Sequence, residues 1–114
     1  METKDIDALN ALPKSATSHR IDFTKAEVVR GIIPNTYFLV VTGMKPWVTM
    51  EMKLIPLVYI AQPDYWGIEV IGIQSGIGLP AEAPYSVTLN ISHTRGKEGI
   101  EVIGASKKEK IKVT

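Results

Sequence analysis

The chain has 114 residues, 45 % of them apolar, with 13 basic and 12 acidic side chains, a formal net charge of +1 and no cysteine. This length implies a single domain with its own core, and the missing cysteine excludes disulfides, thiolate metal sites and thiol nucleophiles while suiting a cytoplasmic location. The balanced charge argues against nucleic acid and anionic membrane as partners, because phosphate recognition needs a basic stripe.

The first twenty residues read as an arm. Residues 5–12 can form one or two helical turns with Ile6, Leu9 and Leu12 on one side, ended by Pro13. The arm has no basic segment followed by an apolar one, so no secretory leader is expected, and the Asn90-Ile91-Ser92 sequon carries no glycan in that setting. No apolar run reaches the roughly 20 residues that span a bilayer.

From residue 21 onward the pattern is that of strands, rich in Val, Ile, Tyr and Thr and punctuated by Gly and Pro. Residues 26–33 form the first expected strand, closed by Pro34-Asn35. Residues 37–42, YFLVVT, are apolar on both faces and suit a central, covered strand. In VTMEMKL, Val48, Met50, Met52 and Leu54 alternate with Thr49, Glu51 and Lys53, so one face is dry and the other wet. Pro56 interrupts, residues 57–61 resume, and Gln62-Pro63-Asp64 turns into a strand over 66–74. A Gly/Pro loop over 75–84 precedes a clean alternation over 86–92, with Val87, Leu89 and Ile91 inward. Residues 99–105, a KKEK turn and a short strand over 111–113 complete the chain. Seven or eight short strands with turns at this spacing predict an all-β, immunoglobulin-like sandwich over residues 21–114, with the 75–84 loop as its crossover.

The hexamer GIEVIG occurs twice, at 67–72 and 99–104. With the copies aligned, Ile55 matches Val87, Leu57 matches Leu89 and Tyr59 matches Ile91, which predicts two equivalent hairpins. Within each copy Ile68 and Val70, or Ile100 and Val102, share one face, and Glu69 and Ile71, or Glu101 and Ile103, share the other. That second face suggests either a patch of Ile71, Ile73 and Ile103 covered by another subunit or a strand that rolls from an exposed end to a covered one.

Tyr65, Trp66 and Trp47 are the candidate ligand or partner contacts, since aromatic rings beside a turn stack on sugars or anchor peptides. SGIG at 75–78 lacks the spacing, the Lys-Ser/Thr ending and the helix of a phosphate loop. His19 and His93, even with Asp22 and Glu27, show no metal-ligand spacing, so no metal or cofactor is expected. Ser92-His93-Thr94 cannot assemble a nucleophile with its base, because strand neighbours point to opposite faces. Glu69 and Glu101 are the carboxylate pair to inspect for acid–base work. Lysines 107, 108, 110 and 112 read as a solvated hairpin tip and edge guard.

These features point to a non-enzymatic binding or assembly module that associates with itself or another protein. The alternatives are a small-ligand or carbohydrate binder built on the exposed aromatics, and an enzyme built on the Glu69/Glu101 pair.

Overall fold

The computed structural model describes residues 17–75 and 80–113. Among them eight strands form two sheets, with no helix. The strands are β1 Thr17–Arg20, β2 Lys25–Arg30, β3 Tyr37–Lys45, β4 Glu51–Pro56, β5 Tyr65–Gln74, β6 Ala83–Asn90, β7 Gly99–Ile103 and β8 Lys108–Lys112. The expected helix over 5–12 and the SGIG motif beyond Ser75 lie outside the described residues.

The smaller sheet is β2-β3-β6, antiparallel throughout. Its central strand shows how one sequence serves two faces. Tyr37, Leu39, Val41 and Gly43 are buried, while Phe38, Val40 and Thr42 on the outer face are half-buried. The period-two exposure arises because only one face of β3 is packed against the other sheet.

The larger sheet is organised around β5, the longest strand. β4 pairs with it along one side, from Glu51↔Ile73 to Pro56↔Ile68. Two strands share its other side end to end. β7 runs parallel to the first half, from Tyr65↔Gly99 to Glu69↔Ile103, and β1 runs antiparallel to the second half, from Arg20↔Ile71 to Thr17↔Gln74. β8 closes the sheet beyond β7. Ile68, Val70, Ile100 and Val102 from β5 and β7 face Leu39 and Val41 across the interface, all fully buried, with Phe23, Tyr85 and Ile91 filling the ends. Each such aliphatic side chain contributes about 1.5–3 kcal/mol on burial. Among the described residues the one buried polar side chain, Gln74 at the end of β5, accepts from the Thr49 hydroxyl at 3.0 Å and donates to the Ser75 carbonyl at 3.0 Å.

The expected all-β, two-sheet architecture is present, and within it β5 and β7 are parallel neighbours. Other expectations need correction. The two hexamers are not equivalent hairpins. β4 and β5 do form one, but β6 lies in the opposite sheet from β7. The hexamers instead lie side by side, with Gly67 opposite Glu101. Thr17–Arg20, read as arm, is a strand, and Lys108 and Lys110, read as part of a turn, belong to edge strand β8. Val48, expected inward, is 44 % exposed, since β4 begins only at Glu51.

At the end of the sandwich where β1 leaves β5, the chain turns and Asp22 is held by the β7–β8 turn. Its carboxylate accepts from the Ser106 hydroxyl at 2.5 Å and the Ser106 amide at 2.7 Å, and these bonds lower its pKa. Tyr85 donates to the Asp22 carbonyl at 2.9 Å; burial, and then the Asp22 charge, push its phenol up to about 12. Lys107 completes this corner, donating to the Phe23 carbonyl with its ammonium 4.6 Å from the Phe23 ring centroid.

Candidate functional site

The residues singled out from sequence separate into different environments. Trp66 packs against the core and its indole Nε1 donates to the Leu57 carbonyl at 2.8 Å. The Tyr59 ring meets it edge-on at 5.2 Å, and the Tyr59 hydroxyl accepts from the Gly67 amide at 3.1 Å. Trp66 therefore anchors the segment that follows β4. Tyr65 is half-buried on the outer face of β5, with Lys110 5.1 Å from its ring centroid. Trp47 is half-buried in the turn after β3, where its carbonyl accepts from the Met50 amide at 3.0 Å. Tyr65 and Trp66 are neighbours on β5 and point to its opposite faces, while Trp47 lies in the turn after β3, so the three rings form no shared surface.

The isoleucine patch also divides. Ile71 and Ile73 are half-buried on the outer face of β5, but Ile103 is only 6 % exposed and is covered by its own chain. The cover comes from residues after Pro56, where Leu57 and Tyr59 fold back over Gly67. A side chain at 67 would lie 2.7 Å from Leu57 Cδ1, 3.0 Å from the Tyr59 hydroxyl and 3.2 Å from Ile103 Cδ1. Glycine fits best there because three side-chain ends fill the space above its Cα.

Glu69 and Glu101 do lie on one face, as diagonal neighbours across the β5–β7 pair. Glu69 is bound to Arg20 at 2.6 Å, and Glu101 lies opposite Lys110 on β8. Neither borders either of the two cavities described below. His19 is exposed on β1 and His93 is exposed in the loop after β6, at opposite ends of the sandwich. Among the described residues no three His, Asp or Glu side chains gather, and no helix is long and apolar enough to cross a membrane.

What sequence reasoning missed lies at the end of the sandwich where β2, β4 and β6 finish. Three loops meet there: residues 31–36, 57–64 and 91–98. They are tied to one another. Lys97 and Glu98 amides donate to the Pro63 and Asp64 carbonyls at 2.9 and 2.8 Å, and the Gln62 side chain donates to the Arg95 carbonyl at 2.9 Å. On the other side the Ile91 amide donates to the Tyr37 carbonyl at 2.9 Å, and the Arg95 guanidinium stacks 4.6 Å from the Tyr37 ring centroid.

From this braced platform four aliphatic side chains project into solvent. In the 57–60 segment the inward members of the alternation, Leu57 and Tyr59, are the ones that seat on Gly67. The outward members, Val58 and Ile60, are 96 and 109 % exposed. In the 31–36 loop, Ile32 and Ile33 are 103 and 72 % exposed. That loop is closed by the Gly31 amide donating to the Thr36 carbonyl at 2.8 Å and by the Thr36 amide donating to Ile33 at 3.2 Å. With proline next and Asn35 at φ 64°, the four residues from Ile33 carry the signature of a type II turn. Beside it runs a concave apolar groove of about 380 Å³ lined by Arg30, Gly31, Ile32, Ile33, Thr36 and Phe38. A second cavity of about 210 Å³ lies between β2 and β8 and shares Arg30 with the groove.

No protein-family model, curated protein or solved structure matches this chain. Among the described residues, fold and site together define a two-sheet β protein with an apolar loop end.

Proposed function

We propose that the protein is a non-enzymatic binding or assembly module whose contact surface is this loop end. The observation that supports the reading is the projection of Val58, Ile60, Ile32 and Ile33 from loops that are otherwise hydrogen-bonded and packed. Scattered exposed aliphatics are ordinary on a soluble surface, but four at one end, beside an apolar groove, mark an interaction site. Burying them in a partner is worth about 1.5–3 kcal/mol each before the losses of association. The rigidity of the platform favours binding, since little ordering remains to be done. The aromatic-ligand reading has less support, because Trp66 and Tyr59 are committed to anchoring the 57–60 segment.

The test uses an environment-sensitive fluorophore on Ile33→Cys, compared with the same fluorophore on Glu82→Cys at the opposite end. Unlabelled protein up to about 100 µM and neutral phosphatidylcholine vesicles are the two titrants. A blue shift at position 33 and none at 82 supports the reading. No response at 33 to either titrant overturns it.

A further inference from the structure

Resting on the loop end as contact surface, we propose that its occupant is a second copy of this chain, docked so that the 57–60 tip of each protomer lies in the 31–38 groove of the other. One molecule carries both halves of such a contact. Val58 and Ile60 form the projecting part. The groove of about 380 Å³ beside Phe38 forms the receiving part, with apolar walls of Ile32 and Ile33. The two lie at opposite corners of the same end. The tip follows β4, whose neighbour across the sandwich is β6, and the groove follows β2, whose neighbour is β8. The 91–98 loop occupies the ground between them.

That arrangement suits a two-fold axis through the middle loop. Rotation about it carries each tip onto the partner's groove, so tip meets groove twice and the contact closes at two copies. Charge separates this occupant from a lipid surface. Residues 31–36 and 57–63 contain no charged side chain, and the whole chain carries +1. Nothing in the projecting segments draws an anionic membrane, which recruits proteins through clustered lysine and arginine. The 57–64 and 91–98 loops together carry Arg95 and Lys97 against Asp64 and Glu98, so two copies meet there without an excess of either sign.

The absence of cysteine gives a direct test. Ile60→Cys and Ile32→Cys chains are prepared separately, checked for native circular dichroism, mixed and oxidised. The mixture is expected to form a covalent dimer while each variant alone remains uncrosslinked, since 60 meets 32 and not itself. Sedimentation at about 100 µM is expected to give twice the monomer mass. Ile60→Ser is expected to weaken the dimer at least about a hundredfold, because each loss is felt twice in a two-fold pair.

A monomer at that concentration with no cross-link from the mixture overturns the second-copy assignment. If the fluorophore at 33 then still responds to vesicles, the contact surface stands and lipid is its occupant. Self-crosslinking of Ile60→Cys alone overturns the tip-in-groove geometry. Dimerisation that appears only after removal of residues 1–16 assigns the groove to the chain's own N-terminal segment, and likewise overturns the proposal for the full chain.

Discussion

Alanine at position 67 tests how the projecting tip is held. The new Cβ lies 2.7 Å from Leu57 Cδ1, 3.0 Å from the Tyr59 hydroxyl and 3.2 Å from Ile103 Cδ1. Carbon atoms pack at roughly 3.5–4.0 Å, so Leu57 must withdraw by about 1 Å. All three obstacles are ends of side chains, which can give way, so the fold survives. Overpacking of this kind costs about 1–3 kcal/mol, and replacing a strand glycine returns about 0.5–1 kcal/mol, leaving a loss of about 1–2 kcal/mol. For a domain of this size that lowers Tm by about 4–8 °C. The displacement also pushes away the Tyr59 hydroxyl, so the Gly67 amide exchanges faster with solvent. Because Leu57 is the tightest obstacle, Leu57→Ala in the same chain relieves part of the overpacking, and the two changes are non-additive. Thermal melting by circular dichroism and site-resolved hydrogen exchange read both effects. An unchanged Tm together with unchanged exchange at Gly67 would show that the 57–60 segment does not seat there.

Three further outcomes follow from the same geometry. Gly99→Ala is far more damaging than Gly67→Ala, because its Cβ lies 2.0 Å from the Ile111 carbonyl oxygen, a backbone atom of the paired strand; the expected loss is above about 3 kcal/mol, and a urea midpoint equal to that of Gly67→Ala refutes it. The bonds that lower the Asp22 pKa below 3.8 contribute stability that is present above that value and lost as pH falls through the folded pKa. Asp22→Asn therefore lowers Tm more at pH 7 than at pH 2, and an equal drop at both pH values contradicts this. Tyr85 has the opposite sense. Its folded pKa is raised to about 12, so its contribution is complete below pH 10 and disappears as pH rises toward 12. The size is about 1–2 kcal/mol after allowance for partial solvation of the phenol, and Tyr85→Phe flattens this alkaline decline in a pH series of melts.

The alternating strands were legible because their burial depends on one neighbouring layer. Val87 and Leu89, and Ile68 and Val70, face the side that their spacing predicts, whereas the apolar run of β3 hid the alternation that buries Leu39 and Val41 and leaves Phe38 and Val40 half-buried. Strand β1 was not legible. Thr17–Arg20 is exposed at every position and has no apolar period; it is a strand only because β7 covers half of one side of β5 and leaves the rest free to pair. Ile32 and Ile33 looked like the end of a strand, yet the Pro34-Asn35 turn swings them outward, a choice made by φ at Asn35 and not by hydropathy. Ile103 carried the converse ambiguity. Its position opposite the core suggested an interface, and only the return of Leu57 and Tyr59 across Gly67, a contact spanning some forty residues, covers it. The candidate site combines both effects, and so no local pattern announced it.

The division of one β5 side between β1 and β7 also orders the birth of the molecule. As the chain emerges from the ribosome, β1, β4 and β5 are all complete by Gln74. The latter half of β5 is then already flanked on both sides, while its opening half keeps one bare ladder until Gly99–Ile103 arrives. The nascent protein thus carries a temporary docking strip beside Tyr65–Glu69 for the time taken to make about thirty more residues, at roughly 5–20 residues per second. During those seconds the strip is where a foreign strand has its opportunity, and parallel pairing with β7 ends it.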